Sequence, residues 1–177
     1  MLQVDGSVTS NTFVNRAGTL AGSGTIGGNV TNNGRVSPGS AGAPGTLTIL
    51  GNYTQANDAD LMIQIANTSE FGALNVLGTA DLAGRLDAVL LNGFVPAVGD
   101  SFTFLTAGSL NGTLFMHDRN IDDVAEHWDI SYFPTFALLT VAAGNVSVPD
   151  AGSTLLLLVL GLSSLLMCRR TLVRIRN

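Results

Sequence analysis

The chain has no lysine, one cysteine, one tryptophan and two tyrosines, and only 12% of its 177 residues are charged. A soluble globular domain usually carries about a quarter charged residues. The single cysteine, Cys168, excludes a disulfide or a Cys-based metal site within one copy. The basic residues are eight arginines, four of them in the last nine positions. Residues 1–147 therefore hold Arg16, Arg35, Arg85 and Arg119 against twelve carboxylates, a net of about −8. Nucleic acid is excluded as a partner, because binding it needs clustered positive charge. Serine nucleophile elbows of the form Gly-x-Ser-x-Gly and phosphate loops ending in Gly-Lys-Ser/Thr are absent as well.

What is present in quantity is glycine, with 21 residues, set among threonine, asparagine, serine and short β-favouring stretches. Gly6–Thr9, Gly28–Thr31 and Gly51–Thr54 recur at spacings of 22 and 23, and Gly18-Thr19-Leu20 is echoed by Gly45-Thr46-Leu47. Between them lie residues that supply turns. This pattern predicts an all-β, Gly/Thr/Asn-rich β-solenoid over residues 1–147, with short strands such as Ser7–Thr9, Thr25–Ile26, Asn29–Thr31 and Asn52–Gln55. Stacked coils share an apolar column that one coil cannot bury alone. A β-sandwich with glycine-rich hairpins is the alternative. From Asp60 the strands lengthen (Leu61–Ala66, Arg85–Leu91, Ser101–Leu105, Phe136–Val141). This half reads as a thicker end of the solenoid or a small sandwich closing it.

The tail has three parts. Val148 to Ser153 is turn-forming, Ala151 to Cys168 holds no charge, and Arg169, Arg170, Arg174 and Arg176 follow. Eighteen residues make about 27 Å of helix, close to a bilayer's hydrocarbon thickness. Leu155 to Leu160 is apolar all round, unlike a core helix with one polar face. Residues 151–168 are expected to be one transmembrane helix, with the basic tail 169–177 cytoplasmic and residues before Val148 outside. Cys168, at the inner end of this span, is expected to fill the helix as a small apolar residue rather than to be acylated. Met1–Gly6 has neither a basic start nor an apolar run and is no signal peptide. The orientation needs one, so the chain is expected to be the C-terminal piece of a longer exported protein whose first coil has lost its cap.

This tail resembles the sorting signal of bacterial PEP-CTERM proteins, the substrates of exosortases, in its VPDSG variant. The motif reads Val148-Pro149-Asp150-Ala151-Gly152, with Ala151 in the serine position. The resemblance implies a bacterial inner-membrane protein with its N-terminal part outside. It also implies cleavage near the motif by an exosortase-type partner and transfer to the cell surface or extracellular matrix. The order Gly18 to Ile26, Gly28 to Val30, Ser37 to Gly39 and Gly45 to Tyr53 resembles autotransporter-type repeat proteins, which implies a β-helical surface protein. No girdled barrel strands follow it.

Other residues carry weaker expectations. His117, Asp118, Asp122, Asp123, Glu126, His127 and Asp129 form a charged island that matches no metal-ligand spacing and reads as solvated surface. No cofactor and no metal are expected. Carboxylate pairs such as Asp58/Asp60 and Asp81/Asp87 are candidates for polysaccharide chemistry and read as strand-edge solubility. Asn29, Asn52, Asn67, Asn111 and Asn145 each open an Asn-x-Ser/Thr triplet, which an Asn- and Thr-rich chain produces by chance. Rows of Thr and Asn have the groups to hydrogen-bond exopolysaccharide or other surface glycans. The expected protein is an exported, noncatalytic surface or matrix protein. A permanently anchored adhesin is the runner-up, and a carbohydrate-active β-helix enzyme is third.

Overall fold

A computed structural model describes residues 1–117 and 126–144, within a compact unit spanning Met1–Gly144. The sorting motif 148–153, the expected span 151–168 and the basic tail 169–177 lie outside the described residues. Among the described residues every regular element is a strand, and no helix is long and apolar enough to cross a membrane.

The strands fall into successive coils. The first holds β1 (Leu2–Gln3), β2 (Ser7–Val8) and β3 (Thr12–Val14), and the second β4 (Thr19–Gly22), β5 (Thr25–Ile26) and β6 (Val30–Asn32). The third holds β7 (Arg35–Ser40), β8 (Ala43–Pro44), β9 (Thr46–Ile49) and β10 (Tyr53–Gln55). The fourth holds β11 (Asp60–Asn67), β12 (Glu70–Phe71) and β13 (Ala73–Leu82), and the fifth β14 (Arg85–Leu90) and β15 (Ser101–Gly112). After them come β16 (Phe115–Met116), β17 (Glu126–Tyr132) and β18 (Phe136–Ala143).

Parallel pairing stacks each coil on the next along three faces. The first face is β1-β4-β7-β11-β14-β16. The second runs β2-β5-β9 onto residues 73–76 of β13. The third runs β3-β6-β10 onto residues 80–81 of the same strand. Each face turns an apolar column inward: Leu20-Val36-Leu61-Leu86, Ile26-Ile49-Val76 and Val30-Tyr53-Ala80, all at 1% exposure or less. A column of this kind exists only when coils stack, so burial of apolar surface and backbone pairing are won together.

Coil length varies. On the first face Leu2 pairs with Leu20, Leu20 with Val36, Val36 with Leu61, Leu61 with Leu86 and Leu86 with Met116, so successive coils take 18, 16, 25, 25 and 30 residues. Much of the added length sits at the corner between the first and second faces. There β8 folds back on β7 and β12 on β11 as antiparallel pairs. Buried Gln64 locks these corners together, donating to Ser40 O at 2.8 Å and accepting from Gly42 N at 2.8 Å.

Variable length overturns part of the repeat reading. Val30 does stack on Tyr53, but Val8 stacks on Ile26, so Gly6–Thr9 and Gly28–Thr31 lie on different faces. The two Gly-Thr-Leu phrases separate likewise: Thr19 pairs with Arg35 and Thr46 with Ala73. Parallel stacking continues to β16 on the first face and to β15 on the other sheet. Beyond β15, β18 runs antiparallel to it and β17 antiparallel to β18, with Trp128 packed edge-on against Phe102.

The recurring glycines have a packing reason at the corner between the second and third faces. The side-chain oxygens of Asn11, Asn29 and Asn52 accept the backbone N–H of Asn29, Asn52 and Thr79 at 2.8, 2.8 and 2.9 Å. A Cβ at Gly51 or Gly78 would stand 2.4 or 2.3 Å from the asparagine oxygen of the preceding coil. Only glycine leaves room for that amide. Replacing Asn52 by alanine is expected to cost about 1 kcal/mol by loss of one such bond, read as a lower urea midpoint at unchanged m-value.

Candidate functional site

The three described arginines converge with Asp58, Asp60 and Asp87 on one outward corner, where the third face turns into the first. Arg35, Asp60 and Arg85 are neighbours in register on the first face, and Arg16 and Asp58 lie on the adjoining turns. Arg85 Nε donates to Asp60 Oδ1 at 2.6 Å, and Arg35 Nη2 lies 3.4 Å from Asp60 Oδ2 and 3.9 Å from Asp87 Oδ2. His117 Nδ1 is 3.0 Å from Asp87 Oδ1, and Arg16 pairs with Asp58. Asp60 and Asp87 are each only 8% exposed. Carboxylates this sheltered need compensating charge, and the guanidinium groups supply it. The hydrogen bond to Asp60, and then its charge, hold the Arg85 guanidinium above its ordinary value. Arg16, Arg35, Asp58, Asp60 and Arg85 line a polar groove of about 230 Å³.

Behind this corner lies a buried polar network. Tyr53 Oη donates to Gln55 Oε1 at 2.5 Å and accepts from Asn32 Nδ2 at 3.2 Å. Gln55 Nε2 donates to Ala59 O at 3.1 Å and to Arg85 O at 3.0 Å, while Asn32 Nδ2 reaches Asp60 O at 3.1 Å. The core amides thereby donate to backbone carbonyls of two successive coils where the chain turns. Burial pushes the Tyr53 hydroxyl well above its ordinary value.

On the second face Ser7, Thr25, Thr48, Asn75 and Thr106 stand in register as one polar row. Neighbouring strands place such rungs about 4.8 Å apart. Thr106 Oγ1 donates to Asn75 Oδ1 at 2.9 Å, and Thr106 pairs with Phe136, whose ring stacks on Phe133 at 4.3 Å.

The candidates read from the sequence are redistributed. Asp81 is separated from Asp87: it stacks on Thr54 on the third face and accepts from Asn111 Nδ2 at 2.9 Å. Asp58 and Asp60 take different arginines. His117 joins Asp87, whereas His127 lies 3.4 Å from Asp129 on β17. Asp118, Asp122 and Asp123 lie outside the described residues. Among the described residues no three ligating side chains come together as a metal would need. Asn29 and Asn52 have their side-chain oxygens engaged in the corner ladder. Val148, Pro149, Asp150, Ala151 and Gly152, and Arg169, Arg170, Arg174 and Arg176, lie outside the described residues. The charged corner was missed although it left a signal: Arg35, Asp60 and Arg85 stand 25 residues apart, one coil each.

Residues 147–172 match the VPDSG-CTERM motif. A search of curated proteins found no match. The match is a PEP-CTERM-type sorting signal. It supports an exported protein sorted through its C-terminus, and it implies membrane association and processing by an exosortase-type enzyme.

Proposed function

We propose that the protein is an exported, noncatalytic cell-surface or matrix component. Its outer part, residues 1–147, is a β-solenoid acting as a spacer or adhesive stalk. In this reading residues 151–168 cross the bacterial inner membrane as a helix, with Arg169, Arg170, Arg174 and Arg176 on the cytoplasmic side. An exosortase-type enzyme then cuts near Val148–Gly152 and passes the outer part to the surface. The match of residues 147–172 to the sorting motif carries this reading. Parallel stacking of coils supports the stalk, and its likeness to autotransporter-type repeats points the same way. The absence of catalysis is supported by the charged corner, where Asp58, Asp60 and Asp87 all face arginines or His117 rather than an open proton-transfer site. Surface glycans are the proposed ligands, with the Ser7-Thr25-Thr48-Asn75-Thr106 row offering donors and acceptors along one face.

Mass spectrometry of the mature protein tests the sorting step. Loss of the residues after about Asp150 is expected, and a Pro149→Ala, Asp150→Ala double variant should keep its tail and stay in the inner membrane. A mature wild-type protein that still ends in Arg176 would favour a permanent anchor instead. Turnover of an acidic polysaccharide, abolished in Asp87→Asn, would favour a carbohydrate-active enzyme.

A further inference from the structure

The polar row of the second face ends against an aromatic ring. The pairing of β15 with β18 carries a bulge between Thr103 and Leu105. It leaves the consecutive residues Phe104 and Leu105 both fully buried, while Thr103 is half-buried and Thr106 exposed. Here the surface opens into a depression of about 500 Å³, lined by Thr103, Thr106, Ala107, Thr135 and Phe136. Among the described residues none of this lining is charged. The turn that carries Thr135 and Phe136 is clasped to β15: Ala107 N donates to Thr135 O at 2.8 Å and Leu110 N to Pro134 O at 2.9 Å. Phe133 stacks on the Phe136 ring with an interplanar angle of 12°, which holds that ring in place.

We propose that this depression is a subsite for a neutral glycan, which lays one sugar ring against Phe136 and continues over Asn75 and Thr48. The inference rests on the reading of surface glycans as ligands of this domain, and gives them a place and a charge class. A pyranose has an apolar C–H face and a rim of hydroxyls. The negative face of an aromatic ring attracts the first. The rim needs hydroxyl and amide partners, and these are free here. Among the described residues the Thr103 and Thr135 hydroxyls and Asn75 Nδ2 bond to nothing, although Asn75 Oδ1 is engaged by Thr106. Charge selects against an acidic chain. Residues 1–147 hold four arginines against twelve carboxylates, and the three described arginines stand at the corner of the third and first faces. A uronate or sulfate chain on the second face would therefore be repelled. The rungs of the row, about 4.8 Å apart, offer an extended chain a repeating set of partners.

The test uses the full chain, purified in a detergent without a sugar headgroup and titrated calorimetrically with cellohexaose, mannohexaose and an oligogalacturonate of similar length. At least one neutral oligosaccharide should bind, and the uronate should not. Phe136→Ala should weaken that binding about tenfold or more. Thr103→Val, which keeps the shape of the side chain and removes its hydroxyl, should weaken it about threefold. Phe13→Ala, on the third face, should leave it unchanged, and circular dichroism checks that each variant keeps its fold. Neutral binding that survives both Phe136→Ala and Thr103→Val overturns the subsite while the glycan reading stands. Tighter binding of the uronate overturns the neutral class. Binding of none of the three by the folded protein overturns the subsite together with the glycan reading beneath it.

Discussion

Replacing Gln55 by leucine is expected to destabilise the outer domain by about 2 kcal/mol. Leucine nearly matches glutamine in size, so the loss is one of hydrogen bonding. The Tyr53 hydroxyl loses its acceptor in the sealed core, and the carbonyls of Ala59 and Arg85 each lose a side-chain donor, Ala59 O keeping the backbone N–H of Arg85 at 3.0 Å. Each such group left unpartnered costs about 1–3 kcal/mol, partly offset by the added apolar burial. The neighbouring Thr54 points outward and is exposed, so Thr54→Ala should change stability by no more than about 0.5 kcal/mol. Urea unfolding followed by circular dichroism compares the two. A Gln55→Leu protein within about 1 kcal/mol of wild type would mean that the core amides contribute little to the turn they appear on.

Alkaline unfolding is the second large effect. Both tyrosines have hydroxyls raised above 10.0, Tyr53 by complete burial and Tyr132 by partial burial against its bonds to Leu114. A group whose pKa is raised in the fold contributes stability that is intact below the unfolded value and lost as pH climbs toward the folded one. Stability should therefore be unaffected by either tyrosine below pH 10. Above it, Tyr53 should remove about 1.4 kcal/mol per pH unit, and half-buried Tyr132 less. Tyrosinate absorbance should thus rise together with loss of circular dichroism, above the pH of 10.0 at which a free tyrosine titrates. In Tyr53→Phe the pH slope should shrink to the Tyr132 share. A smooth titration centred on pH 10 in a folded protein would contradict the buried network.

Several elements were legible in advance. Thr25–Ile26, Asn52–Gln55 and Arg85–Leu91 were read as strands within one or two residues of β5, β10 and β14. Less legible was β13, one strand from Ala73 to Leu82 that serves two faces, its pairing with β15 shifting register between Val76 and Thr79. The 22- and 23-residue spacing was legible only in part, since it mixes coils of different length. The 25-residue interval linking Arg35, Asp60 and Arg85 was a better guide, but a charge column is quieter in the sequence than a repeated glycine phrase. That Asp87 would meet Arg35, two coils away, and His117 depended on how the corners absorb extra residues.

By itself the sequence determined whatever is read from contiguous residues: the sorting motif at 147–172, the all-β class from its turn formers and short apolar stretches, and the acidic balance of the outer part. A linear signal needs no fold to be recognised. Tertiary structure alone decided which residues share a column and which aspartates are sheltered. Those are relations between neighbouring coils, and their register shifts with every residue inserted at a corner. The chain specifies them only after stacking has buried Leu20, Val36, Leu61 and Leu86 in one line.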